Sequence, residues 1–264
     1  MKKYWVLFKS YLSASLEYRG ALFTWLLVEL VSLSSATFLW LAVFRTNQTV
    51  GDYDFGRIVS YYLLVPVIGG FTSIFVSEHL PRKIKDGAIS IDLLKPYSIS
   101  AINLLNQFGI KLTQLTIKLP AYLFAGIFFT HFFNIHLQLI YLPLALFICI
   151  FSYLLHFYLD LALSYLAFWV DDTWSFGLIK TVALMVFGGL SFPLDLVPQN
   201  FRLLFDLLPF KYIYFYPVKV AQGGMPANQL VSQLVVLLTW LVFFFILGKL
   251  LWFKGIRKYG AYGN

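Results

Sequence analysis

Two carboxylates, Glu29 and Asp160, sit inside long apolar stretches of this chain, and a polar stripe lies between them in sequence. Asn103, Gln107, Lys111, Gln114 and Lys118 recur at steps of four, four, three and four, the spacing that places them on one face of a helix. A charged carboxylate at the centre of a bilayer costs roughly 2.5–3.5 kcal/mol on insertion scales, against about 0.3–0.6 kcal/mol gained for each Leu, Ile, Phe or Val. Apolar neighbours can carry such a group into the membrane, but it must then face protein or water. Two chemistries follow. Glu29, Lys111, Gln114, Lys118 and Asp160 can line a polar path for a substrate. Alternatively, Lys111 and Lys118 can pair with Asp160 or Glu29, or snorkel toward headgroups. Two acids and one stripe make no connected proton relay, so interhelical pairing is the expectation.

Two further segments carry recognition rather than reaction chemistry. Residues 79–98, "HLPRKIKDGAISIDLLKPYS", gather Arg82, Lys83, Lys85 and Lys95 around Gly87, with Pro81 and Pro96 near the ends. Residues 188–219, "GGLSFPLDLVPQNFRLLFDLLPFKYIYFYPVK", are punctuated by Pro193, Pro198, Pro209 and Pro217, which break helices. Between the prolines, Phe201, Leu204, Phe205 and Leu208 fall at amphipathic spacing, and Arg202 and Asp206 at i and i+4 are placed to pair. Tyr212, Tyr214 and Tyr216 suit headgroup level. Short helices dipping into the outer leaflet are expected there, because irregular backbone at that depth survives only against protein or a water-lined cavity. Pro193, Pro198, Phe201, Phe205, Pro209, Tyr216 and Pro217 are thus candidates for an outer gate.

Catalytic signatures are missing. No GxxxxGKS or GxxxxGKT occurs, and "LGKL" at 247–250 lacks both the upstream glycine and the hydroxyl residue. HExxH, GxSxG and CxxC are likewise absent from the sequence. His79, His131, His136 and His156 are scattered, and the lone Cys149 forms neither an intrachain disulfide nor a thiolate metal site. The chain is expected to catalyse nothing and to hold no cofactor or metal. Uphill transport would draw its energy from an ion gradient or a partner.

The elements that position these groups follow from composition. The chain is 60% hydrophobic and 12% charged, about half the charge of a soluble domain, with apolar runs of roughly twenty residues, enough to cross a bilayer as helices. A β-barrel would need short alternating segments instead. The expected fold is all-α and polytopic, with six transmembrane helices at 21–44, 58–79, 104–131, 139–170, 175–194 and 230–252. Residues 1–20, basic residues set against Trp5, Leu7, Phe8, Leu12 and Leu16, read as an amphipathic interfacial helix. The net charge of +8 lies at the ends of apolar runs, which points to anionic lipid rather than nucleic acid. Counting Lys and Arg beside the spans gives fifteen on one side and five on the other. Both termini and the 80–98 loop are therefore expected in the cytoplasm, and the 192–229 segment outside. No linker suggests a second domain, so residues 1–264 read as one membrane unit.

This arrangement resembles the permease subunits of type-2 ATP-binding-cassette (ABC) exporters, most closely the bacterial branch that pairs two six-span permeases. The resemblance is carried by "IKDGAISIDLLKPYS" at 84–98, a Gly followed by Leu-Leu, a basic residue and Pro, and by the Pro-rich outer segment at 188–223. It implies that residues 80–98 form a coupling loop docking onto a separate cytoplasmic ABC ATPase, which would hold ATP and magnesium. It also implies a second permease, identical or related, and a bacterial inner-membrane location. The residues suit that role. Ile84, Ile91, Leu93 and Leu94 offer apolar anchors, and Arg82, Lys83, Lys85 and Asp86 a polar rim. Gly87 is placed to end one short helix, and Pro96 to start the next turn near Lys95. A proton-coupled secondary transporter using Glu29 and Asp160, or a non-transporting membrane scaffold, are the alternatives.

Overall fold

The computed structural model describes residues 2–17, 19–46, 48–133, 138–171, 174–223 and 225–260. Over these the fold is all-α, with no strand beyond one isolated bridge between Val50 and Tyr53. The α-helices are α1 (Lys2–Glu17), α2 (Arg19–Phe44), α3 (Phe55–Thr72), α4 (Leu80–Lys85), α5 (Ile89–Leu93), α6 (Ile99–Phe133), α7 (Leu142–Tyr165), α8 (Trp174–Phe187), α9 (Gln199–Leu207), α10 (Phe215–Gln222) and α11 (Ala227–Lys258). Helices α2, α3, α6, α7 and α11 are long and apolar enough to cross a membrane, and α8 is a shorter apolar helix. Each predicted span thus has its helix.

Their bounds depart from the expectation in two instructive places. The second span starts early at Phe55, where the Asp54 carboxylate accepts the Arg57 amide at 2.7 Å as an N-cap. It stops at Thr72 rather than 79, giving way to irregular backbone and a 3₁₀ turn over Val76–Glu78. The fifth span ends at Phe187 rather than 194. Gly188 and Gly189 follow, and Gly189 takes φ +83°, a left-handed conformation that stops a helix. At fourteen residues, α8 rises about 21 Å and falls short of a hydrocarbon core of about 30 Å. The outer segment continues the path from its end.

Helix α11 runs along α7, and α3 packs against α2, α6, α7 and α10. The main core joins Tyr61, Leu64 and Ile68 of α3 to Ile148 and Leu155 of α7, Leu237 of α11 and the buried outer segment. A second core at the opposite end surrounds Ile74, Val76, Leu80, Ile84 and Ile89 with Phe157, Leu161 and Tyr165. Helix α1 lies against α6. Phe8 and Phe108 have ring centroids 5.8 Å apart, the Ser15 and Thr113 hydroxyls are hydrogen-bonded, and Gly109 lets the backbone of α1 approach. The other face of α1 leaves Trp5, Val6 and Leu16 exposed, which suits a helix lying on a membrane surface.

In the outer segment, α9 leaves Phe201, Leu203, Leu204 and Leu207 exposed, while Phe205 packs on Phe187 at 5.1 Å. Two expectations there are corrected. Tyr212, Tyr214 and Tyr216 are buried in the protein core rather than displayed to headgroups. Tyr212 donates to the Asp206 carbonyl and Tyr216 to the Leu230 carbonyl, both at 2.7 Å. Asp206 pairs not with Arg202 but with Lys211 beyond the turn, and Arg202 instead donates to the carbonyls of Asp195 and Val197.

Candidate functional site

The 80–98 loop folds into two short helices around one glycine. Pro81 stands in the first turn of α4, and Gly87 takes φ +74° just past its end, where a residue with a Cβ would be strained. The Tyr259 hydroxyl, arriving from the end of α11, donates to the Gly87 carbonyl at 3.0 Å and lies 2.9 Å from the Ser90 hydroxyl. Asp92 is the hub of the loop. It is buried and accepts Lys83 at 3.0 Å and Lys95 at 2.6 Å. Burial would raise its pKa, but the hydrogen bonds from Lys95 and Lys83 outweigh burial and hold the carboxyl below its usual range. The Asp92 hydrogen bond correspondingly raises Lys95. Arg82 and Asp86 pair at 3.3 Å on the exposed rim, and Lys85 lies 3.8 Å from Asp171.

The anchors divide. Leu94 is 88% exposed, Ile91 65% and Leu93 40%, whereas Ile84 is only 4% exposed. Ile84 therefore does not face outward as expected. It points into the protein's own core, together with Leu80 and Ile89. Three large apolar side chains remain on the outer surface of a loop whose inner surface is packed and pinned. Pro96 lies in the turn before α6, which Ser98 caps by accepting the Ala101 amide at 3.2 Å.

Behind the loop, irregular residues 73–75 and the 3₁₀ turn are held by side chains from three helices. The Asp160 carboxylate of α7, with no exposed surface, accepts the Ser77 amide at 2.9 Å and Lys180 of α8 at 2.6 Å. Lys180 also donates to the Ser77 hydroxyl at 3.1 Å and the Ile74 carbonyl at 3.3 Å. From α6, Gln107 accepts the Phe75 amide at 3.2 Å, and Lys111 donates to the Ser73 hydroxyl and to Gln114 at 3.3 Å. His156 Nδ1 lies 2.9 Å from the Thr72 carbonyl. A carbonyl only accepts, so that nitrogen carries the proton. These contacts let non-helical backbone exist beside a membrane span, where unpaired groups would cost several kcal/mol each.

The polar residues of the spans therefore pair, but not all as expected. Lys118 meets Glu29 at 2.6 Å, with Tyr122 donating to the other carboxylate oxygen. Asp160 pairs with neither Lys111 nor Lys118; its partner is Lys180. Sequence reasoning counted Lys180 only toward the orientation of the spans and passed over Asp92, Ser77 and Tyr259. For Lys180 a signal existed, since a single cation within the apolar run "WSFGLIKTVALMVF" should seek a buried acid. Among the described residues no group of His, Cys, Asp and Glu is placed to hold a metal ion; His136 lies outside the described residues.

At the opposite end a polar cleft of about 750 Å³ is lined by Tyr53, Arg57, Asp195, Lys219 and Gln222 among others. Asp195 accepts Tyr53 and Lys219, both at 2.8 Å. Of the outer-gate candidates, Tyr216 lines this cleft, Pro193, Pro209 and Pro217 are buried, and Phe201 and Pro198 are exposed. A family model described as ABC-2 family transporter protein matches residues 30–263. No curated protein and no solved structure matches the chain.

Proposed function

The chain belongs to the ABC-2 transporter family and is a multi-pass permease component of an ABC transporter; from that premise we propose that it is the membrane subunit of an exporter driven by a separate cytoplasmic ATPase docking on residues 80–98. The observation that carries this reading is the split of the loop. Its inner face is buried and ion-paired, while Ile91, Leu93 and Leu94 remain outside. An apolar knob on a loop that also exposes the Arg82–Asp86 pair has the anatomy of a subunit contact. Retaining the cations for topology alone would require no such knob.

In this reading two permeases, identical or related, enclose the pathway in a bacterial inner membrane, with both termini cytoplasmic. ATP and magnesium sit on the ATPase subunits. Lys111, Lys118 and Lys180 of the fifteen cations counted on the cytoplasmic side, and Lys211 of the five on the other, lie buried, and the remaining twelve still outnumber four. ATP binding favours one arrangement of the coupled subunits and shifts the population of pathway states accordingly. The 2.6 Å pairs at Glu29 and Asp160 support structural roles for both acids and weigh against a proton-coupled carrier.

Changing Leu93 and Leu94 together to Asp places two charges on the knob without touching the buried core. Co-purification of the ATPase and ATP-driven flux should be lost, while membrane insertion is retained. Flux and co-purification at the parental level in that double variant would refute docking at this loop.

A further inference from the structure

A pocket of about 290 Å³ lies where the ends of α7 and α11 meet the start of α6. Tyr158, Tyr165, Phe245 and Trp252 form its walls, and Leu93 of the docking loop reaches one end. Gly248 holds it open. A Cβ built there meets nothing within 4 Å, in the middle of a long apolar helix where alanine would be the better helix former. The rim is of different chemistry. Lys249 stands beside the glycine with its Nζ 4.3 Å from the Phe245 ring centroid, and among the described residues no carboxylate is within ion-pair distance of it. Ser98 and Ser100 add two hydroxyls 3.3 Å apart.

The site's depth fits an amphiphile. Lys249 precedes the last residue of α11, Lys258, by nine positions, about 13 Å along the helix. In the orientation proposed above, on which this inference rests, that is the boundary between headgroups and acyl chains of the cytoplasmic leaflet. Tyr158, Tyr165 and Trp252 are residue types that favour that boundary. We propose that the pocket is a specific site for one anionic phospholipid, its phosphate against Lys249, Ser98 and Ser100 and an acyl chain in the space over Gly248. Because Leu93 borders the pocket, a bound lipid would brace the docking loop from the membrane side and make coupling depend on anionic lipid.

The test uses the full chain, purified in mild detergent with equal parts phosphatidylglycerol and phosphatidylcholine, with retained lipids counted by native mass spectrometry. The expected result is one retained lipid, with phosphatidylglycerol enriched about fivefold, the factor given by one cation near an anionic headgroup. Lys249→Gln should abolish the enrichment and keep the lipid. Gly248→Leu should fill the space and lose lipid of either class. Undiminished enrichment in Lys249→Gln, or an unchanged lipid count in Gly248→Leu, overturns the proposal. Should Gly248→Leu fail to fold, Lys249→Gln at its exposed position decides alone. Equal retention of phosphatidylglycerol and phosphatidylcholine by the parent chain would make the pocket an unselective apolar site and also overturn the anionic-lipid assignment. Since these readouts on the chain alone need no ATPase, a lack of ATP-driven flux would sink the exporter reading and leave this result readable by itself.

Discussion

Replacing Lys180 by methionine tests the clasp behind the loop at its buried ion pair. Methionine keeps the length and apolar stem and removes the ammonium. That ammonium is 2.6 Å from Asp160, 3.1 Å from the Ser77 hydroxyl and 3.3 Å from the Ile74 carbonyl. Its removal leaves a fully buried carboxylate whose remaining donor is the Ser77 amide. Breaking one side of a buried pair costs about 3–5 kcal/mol. The Ser77 hydroxyl can turn to another acceptor, but the Ile74 carbonyl cannot, which adds roughly 1 kcal/mol. The sum of about 4–6 kcal/mol corresponds to a drop on the order of 10³- to 10⁴-fold in the folded population, or on the order of 10–20 °C in melting temperature.

Asp160→Leu combined with Lys180→Met separates charge from tethering. With no stranded charge, the double variant should recover much of the loss, since an apolar replacement of a buried pair is itself close to neutral. The cycle should therefore show a coupling of about 2 kcal/mol or more. The Ser77 amide and Ile74 carbonyl stay unpaired in the double variant, so residues 73–79 should still exchange amide hydrogens faster than in the parent. Tryptophan-fluorescence melting in one detergent gives the first quantity, and hydrogen exchange gives the second. Melting of Lys180→Met within about 2 °C of the parent, with the Ser77 amide still protected, would refute the reasoning.

Gly87→Ala places a Cβ at φ +74° and should destabilise the loop by about 1–2 kcal/mol, read as faster exchange over 80–98 with the rest of the chain unchanged. Asp92 sets a pH dependence of defined sign. Its folded pKa is depressed, so its contribution is complete above the unfolded carboxylate value of about 3.9 and is lost as pH falls through the lower folded value. Loop protection, corrected for intrinsic exchange rates, should be flat from pH 5 to 7 and decline below about pH 4; Asp92→Asn should remove that decline along with part of the protection. An acid transition of the loop that is identical in Asp92→Asn would exclude Asp92 as its cause.

The membrane class and helix order were legible because a hydrocarbon core admits few solutions. Apolar runs of spanning length must be helices, and α2, α3, α6, α7 and α11 follow. The turn at Gly87 was legible for a local reason, the left-handed φ that a glycine takes just past a helix end. Partner choice was not legible. Two intramembrane acids faced three lysines, and the assignment depends on which helices adjoin; Asp160 meets the lysine of α8 because both flank the turn at Val76–Glu78. The end of α3 had no local mark either, since "SIFVSE" follows Thr72 without a Gly or Pro. Side chains from α6, α7 and α8, distant in sequence, supply the hydrogen bonds that the helix gives up. Tyr212, Tyr214 and Tyr216 misled by residue type, because tyrosine favours both headgroups and cores in which its hydroxyl finds a carbonyl.

The hydrogen bonds determine how far a push on the loop can travel. Leu94 sits next to α5, and Asp92 ties α5 to α4 through Lys83 and to the α6 turn through Lys95, so the knob moves with both. Upstream, α4 joins the turn that Asp160 and Lys180 hold to α7 and α8. Downstream, α6 begins and sends Gln107 and Lys111 back to the same irregular segment. Tyr259 adds the end of α11. Backbone that would otherwise absorb a displacement as slack is thereby pinned from three helices at once, and packed interiors shift between discrete arrangements rather than stretch. Among the described residues the remaining long helix, α2, contributes no hydrogen bond to this network; it is joined through apolar packing on α3 and α6 and the Glu29–Lys118 pair. A displacement at Leu94 would therefore reach α6, α7, α8 and α11 through hydrogen bonds and ion pairs, and α2 through its packing on α3 and α6 and the Glu29–Lys118 pair.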